Sequence, residues 1–217
     1  VAELRPVDGP AGRSPADPSL QRVALLVAFV SGLTSLGYQV LWTRLLASGT
    51  GNSTYVFTLI LGSFLLGIAF GAVAITGRPP RRDRVVASLA LVQAGIGLLA
   101  VVGVVVIGGQ LISPDFLTKV LLVILPTAVA IGLSLPLASN LVGSTDERVG
   151  GDTGLLLGVN LAGTILATFA VPFVLIPRIG SPTAVILLAS VNIALGIFLA
   201  APAIARRLQA SDARADR

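Results

Sequence analysis

From about residue 20 onward the chain alternates between long apolar runs and short polar segments. Six runs are predicted to be helices: about Val23 to Leu46, Thr54 to Thr76, Val85 to Ile112, Phe116 to Leu141, Leu155 to Ile176 and Thr183 to Ala205. Each supplies the roughly 20 apolar residues that a helix needs to cross a hydrocarbon core. The separators carry the stop signals. ASGTGNS, between the first two runs, is a short turn that makes them an antiparallel hairpin. GRPPRRDR at 77–84 combines two prolines with four arginines, which neither continue a helix nor enter lipid. SPDF at 113–116 reads as a helix start with Ser113 as N-cap, and Pro177-Arg178-Ile179-Gly180 as the end of the fifth run. Pro126 and Pro136 fall inside the fourth run, where each removes a backbone hydrogen bond, so a kinked helix is expected there.

Residues 1–19 contain four prolines and no apolar period and read as a disordered cytoplasmic tail; residues 20–206 read as one transmembrane domain, and 207–217 as a cytoplasmic tail or linker. Composition agrees. Hydrophobic residues make up 54% of the 217 and charged ones only 12%, about half the charged share of an ordinary soluble domain. The expected fold is therefore all-α, a polytopic transmembrane bundle of about six spans with the lipid bilayer as its first partner. The preference for Arg and Ala looks like a high-GC bacterial coding bias, and the expected location is a bacterial plasma membrane.

Charge then sets orientation. The net charge of +5 comes from basic residues gathered at one side of the spans: twelve in the N-terminal tail, the second and fourth loops and the C-terminal tail, against Arg44, Lys119 and Arg178 on the other. Positive residues stay in the cytoplasm, so both termini are expected inside, and nucleic acid is not an expected partner.

The sequence holds no Cys and no His, and all ten acidic residues lie in tails, loops or helix starts. Thiolate, imidazole and buried-carboxylate chemistry therefore have no residues to work with, and no nucleotide-binding loop is present. No catalytic residue, metal ligand or cofactor is expected. The polar groups that stand out surround the first hairpin: Tyr38, Gln39, Trp42, Arg44, Asn52 and Tyr55. One reading is an aromatic belt at the headgroups with Arg44 snorkelling. The other is a small polar pocket near the outer surface, opposed by the fourth and fifth helices, that receives a polar or anionic ligand. Small residues at helical spacing, Ser63, Gly67 and Gly71 in the second run and Gly154 and Gly158 in the fifth, read as helix-packing rows within the chain or between copies of it. Gln93, Asn140, Asn160, Thr164 and Asn192 are isolated uncharged groups expected to hydrogen-bond between helices.

Four segments carry a family resemblance: GLTSLGYQVLWTRLL at 32–46, GNSTYVFTLILGSFLLGIAFGA at 51–72, LPTAVAIGLSLPL at 125–137 and GLLLGVNLAGTILATFAVPFVLIPRIG at 154–180. Together they resemble the membrane domain of bacterial spermidine synthase-like proteins, in which a multi-span N-terminal region is fused to a cytoplasmic aminopropyltransferase domain. The last segment departs from the family, which often has an aromatic residue and a Thr where this chain has Leu157 and Leu161. The resemblance implies a membrane anchor for an aminopropyltransferase domain or subunit, with passage of polyamine or a related small solute as an added role. It implies no catalytic residue on this chain. The alternatives are a stand-alone small-solute transporter or channel and a structural scaffold. Six spans also resemble half of a major-facilitator-type transporter, whose halves contain inverted triplets, yet no internal repeat is legible between the first three runs and the last three.

Overall fold

The computed structural model describes residues 18–47, 54–77, 80–81, 84–109, 115–142 and 149–215, the side chains of 149 and 203–215 excepted. The N-terminal tail up to residue 17, the turn holding Asn52, the Ser113 cap and the loop at 143–148 lie outside the described residues. Every described element is helical: α1 (Pro18–Ala47), α2 (Thr54–Gly77), α3 (Val85–Ile107), α4 (Phe116–Ser139), α5 (Val149–Ala170) and α6 (Ile176–Ala215). Five segments are long and apolar enough to cross a membrane, the fifth being the 53-residue stretch Gly150–Pro202. Large apolar side chains such as Phe70, Leu91 and Phe173 stand outward on the bundle perimeter. Water would reject such a surface, and lipid tails accept it.

Three places differ from the expected boundaries, each for a local reason. Asp115, not Ser113, takes the N-cap position of α4. The last helix continues through residues expected to be an irregular tail and ends at Ala215. Pro177 does not end the fifth run. A π-turn, Val171–Leu175, links α5 to α6, with the Ile176 amide donating to the Val171 carbonyl five residues back. The wider turn relieves the clash between the Pro177 ring and the carbonyl one turn earlier. α4 uses the same device: its π-turn Val120–Ile124, closed by the Leu125 amide on Val120, immediately precedes Leu125-Pro126. The helical path breaks instead at Gly180, whose φ of 76° and ψ of 164° suit only glycine. Gly150–Pro202 is thus two helical stretches joined at Gly180.

The main packing pairs are α1 with α5, α2 with α4, and α3 with α6. Glycines set the spacing. A Cβ on Gly32 of α1 would strike the Asn160 carbonyl of α5, and one on Gly163 would strike the Phe29 carbonyl of α1. In the second pair a Cβ on Gly132 of α4 would strike the Ile68 carbonyl, and one on Gly71 of α2 the Val129 carbonyl. These crossings correspond residue by residue. Adding 100 converts Phe29 and Gly32 of α1 into Val129 and Gly132 of α4, and adding 92 converts Ile68 and Gly71 of α2 into Asn160 and Gly163 of α5. The third pair obeys the same rule with an offset of 99. Gly97 meets Ala189 and Ile193, and its counterpart Gly196 meets Ala90 and Ala94.

Direction follows from two further contacts. Gln93 on α3 bonds to Ser31 of α1 and Ser134 of α4, whereas Gly103 faces Trp42 of α1 and Val123 of α4. As α1 runs from 31 to 42, α4 runs from 134 to 123 beside it. The two are antiparallel, so helices one to three and four to six form an inverted repeat in their packing. The expectation that no repeat relates the two halves is corrected here.

Two apolar cores lie along the bundle axis. One surrounds Tyr38, Trp42, Phe64, Ile96, Ile124 and Leu188, toward the end where α1 finishes at Ala47. The other surrounds Val27, Leu89, Leu137, Leu156 and Leu195, toward the end carrying the termini. Between them, at the same level on four helices, sit the buried polar residues Ser31, Thr34, Gln93, Ser134 and Asn192.

Alanine substitution tests the crossings by sign. Ala at the open positions Gly62 and Gly154, which have no neighbour within 4 Å of a Cβ, should raise the thermal stability of the detergent-purified protein, by up to ~1 kcal/mol from helix propensity. Gly71→Ala and Gly163→Ala should lower it, by about 1–3 kcal/mol, because carbonyls on rigid helices have to move. Equal effects at all four positions would contradict the close crossings.

Candidate functional site

The last three turns of α1 present two different faces. Leu36, Gln39, Val40, Thr43, Arg44 and Ala47 follow one another at three- and one-residue steps, a single helical stripe, and this stripe lines a cavity of about 670 Å³. Phe57 of α2, Pro172 of the π-turn and Ile176 complete its lining. The volume lies within the roughly 300–1,000 Å³ of small-molecule pockets. The Thr43 hydroxyl is committed to the Gln39 carbonyl of its own helix at 2.7 Å. The Gln39 amide and the Arg44 guanidinium are left as the polar groups of the wall. Among the described residues no carboxylate lines the cavity. Arg44 is exposed, Gln39 half-buried.

Tyr38 and Trp42 lie on the other face. Their rings stack with centroids 6.3 Å apart and planes at 14°, fully buried in the core. Trp42 packs over Gly103 of α3. An aromatic belt requires both to reach the headgroups, and the structure turns both inward. Of the belt residues, Tyr55 stands outward, 88% exposed. The six residues singled out around the hairpin therefore separate: Gln39 and Arg44 line the cavity, Tyr38 and Trp42 pack the core, Tyr55 faces out, and Asn52 falls outside the described residues. The opposing wall comes from α2 and the π-turn, not from α4.

The packing rows separate too. Ser63, Gly67 and Gly71 are buried, with Gly67 and Gly71 seated on α4. Gly154 and Gly158 face outward with open space beside them. Spacing alone does not tell which way a row points. Among the isolated polar residues, Asn160 donates to the Ala28 carbonyl at 2.9 Å, and Thr164 donates to Gly32 at 3.4 Å and to Asn160 at 3.0 Å. Both tie α5 to the backbone of α1 at the glycine crossing. Asn140 instead donates within its own segment to the Pro136 carbonyl, at 3.0 Å, as does Ser139 at 2.8 Å.

Sequence reading missed the mid-bundle polar layer as a unit. Gln93 Nε2 donates to Ser31 at 3.1 Å and to Ser134 at 3.4 Å, joining α3 to α1 and α4. Asn192 is the counterpart of Gln93 under the offset of 99, and Ser134 is the counterpart of Thr34 under the offset of 100. Among the described residues, both amide atoms of Asn192 and Oε1 of Gln93 are buried without a partner. The signal was present in the sequence, one amide near the middle of each of two runs, but the pairing needed the offsets. Comparison of the chain with protein-family models, with curated proteins and with solved structures returned no match.

An unpartnered buried amide costs about 1–3 kcal/mol. Asn192→Leu, which keeps the branched shape, should therefore raise the midpoint of thermal unfolding in detergent. A lowered midpoint would mean that the Asn192 amide is satisfied in the folded protein by a bound polar guest or water.

Proposed function

We propose that the chain is a six-span membrane domain with both termini in the cytoplasm, which holds a spermidine synthase-like aminopropyltransferase at the inner face of a bacterial plasma membrane and has no catalytic site of its own. The break at Gly180 supports six spans, because it divides Gly150–Pro202 into two lengths that each suffice to cross. The basic residues support the orientation: the end bearing Arg22, Arg81 and Arg84 is the cytoplasmic one, and the Arg44 end is the outer one.

The observation that carries the anchor reading is where the family-like segments fall. The four segments belong to α1, α2, α4 and the α5 stretch, which form the two glycine crossings. The likeness thus rests on residues that set the architecture. α6 supports it further, continuing as one helix past Pro202 to Ala215 with Arg206, Arg207 and Arg214 along it. Such an extension is a stiff connection to whatever stands on the cytoplasmic side. Polyamine carriage is not part of the proposal, since a cavity that presents Arg44 and, among the described residues, no carboxylate repels a polycation. A second reading, a stand-alone small-solute carrier, is favoured by the inverted repeat, an arrangement common in secondary transporters.

The anchor reading is tested in the native host. Aminopropyl transfer from decarboxylated S-adenosylmethionine to putrescine should sediment with membranes and become soluble when the segment up to residue 202 is deleted; activity indifferent to that deletion would overturn the anchor role. The purified 217-residue chain should make no spermidine. Alkaline phosphatase fused after Arg217 should be inactive, and an active fusion would place the C-terminus outside.

A further inference from the structure

The inverted repeat separates what the fold requires from what it does not. Features present in both halves, such as the crossing glycines, are architecture. Features present in one half only are not required by the repeat, though some, such as Asn160 and Thr164, still hold their own half together. The counterparts of Gln39, Thr43 and Arg44, at an offset of 100, are Ser139, Gly143 and Ser144. In the sequence of the second half the counterparts of Gln39 and Arg44 are thus small and uncharged, so the repeat itself demands neither a long amide nor a cation at this place on α1.

From this asymmetry and the cavity it lines we infer a binding site for one anionic amphiphile, with an oxyanion head, phosphate or carboxylate, on a hydrocarbon tail. The wall is graded along α1. Arg44 stands at the outer end, and Leu36 lies eight residues deeper, about 12 Å at 1.5 Å per residue. Val40, Phe57, Pro172 and Ile176 form the apolar length between and around them. The polar donors are the guanidinium fork and the Gln39 amide, since Thr43 is occupied within its helix. A guanidinium pairs with phosphate or carboxylate through two parallel hydrogen bonds. Among the described residues Arg44 has no acidic neighbour in the cavity wall to neutralise it. A cationic head is repelled, and a neutral head leaves the guanidinium without its anion. A tail is required too, because a small anion alone leaves the apolar wall unfilled.

The site requires neither the topology nor the anchor role, so the two readings fail independently. Protein purified in a nonionic detergent is titrated with a lysophosphatidate, a saturated fatty acid, a monoacylglycerol of the same chain length, inorganic phosphate and spermidine. At least one of the two anionic amphiphiles should bind, and comparing them tells which head is preferred. Arg44→Gln should weaken that binding about 10- to 100-fold, the loss of one charge-assisted contact. Gln39→Leu should weaken it less. Lys119→Gln, at the same end of the bundle but outside the cavity wall, should leave it unchanged. Arg44 is exposed, so its substitution leaves the fold intact, and an unaltered unfolding midpoint checks this. Equal binding of the monoacylglycerol, binding of inorganic phosphate as tight as that of the amphiphiles, or Arg44→Gln binding like the wild type would each overturn the proposal.

Discussion

Backbone contact between helices, without intervening side chains, is the constraint on which this bundle depends. In lipid there is little hydrophobic drive to pull one helix against another, so association rests on van der Waals packing and on hydrogen bonds between helices. Glycine permits the closest packing. Gly32 and Gly163 bring α1 against α5, and Gly71 and Gly132 bring α2 against α4. At the first crossing the approach is close enough for Asn160 and Thr164 to donate to carbonyls of α1. The second has Ile68 and Ala72 at the corresponding positions and relies on packing alone. The same geometry is thus held with polar links in one half and without them in the other.

The polar layer between the two apolar cores depends on those crossings. It places Ser31 and Thr34, Gln93, Ser134 and Asn192 at one level of four helices, where a charged group would be far costlier than these neutral ones. Gln93 satisfies its amide nitrogen through two hydroxyls, while Asn192 satisfies neither atom within the described chain. The repeat therefore holds at the three helix crossings and is imperfect in chemistry. That imperfection is informative, because a residue that only one half carries is not required by the repeat itself, although it can still hold its own half together, as Asn160 and Thr164 do.

Much of the fold was legible in the sequence. Lipid demands long apolar runs, and Arg and Pro mark where they stop, so four of the six predicted helix starts lie within five residues of those observed. What escaped was direction and repetition. The rows at Gly67 and Gly71 and at Gly154 and Gly158 share one spacing, yet one is buried and the other open. The repeat survives in sequence chiefly as Gly-Leu-Thr at 32–34 against Gly-Leu-Ser at 132–134, because lipid-facing positions exchange one apolar residue for another at little cost. Pro177 was misread as a stop because the preceding π-turn, which accommodates it, leaves no distinct sequence mark. At the candidate site, Gln39 and Arg44 were identifiable as polar groups at a helix end. That Tyr38 and Trp42 turn away from them required knowing which face of α1 meets α3.

Because the chain has no cysteine, the inverted repeat can be tested with pairs of introduced thiols. Ala28 with Asn160 spans the α1–α5 crossing, and their counterparts Ala128 with Ile68 span the α4–α2 crossing. Double cysteine variants of both matched pairs, treated in membranes with a short bis-maleimide, should cross-link within the chain. The exchanged pairs, Ala28 with Ile68 and Ala128 with Asn160, should not. Cross-linking of the exchanged pairs, or failure of either matched pair, would contradict the packing on which the whole account rests.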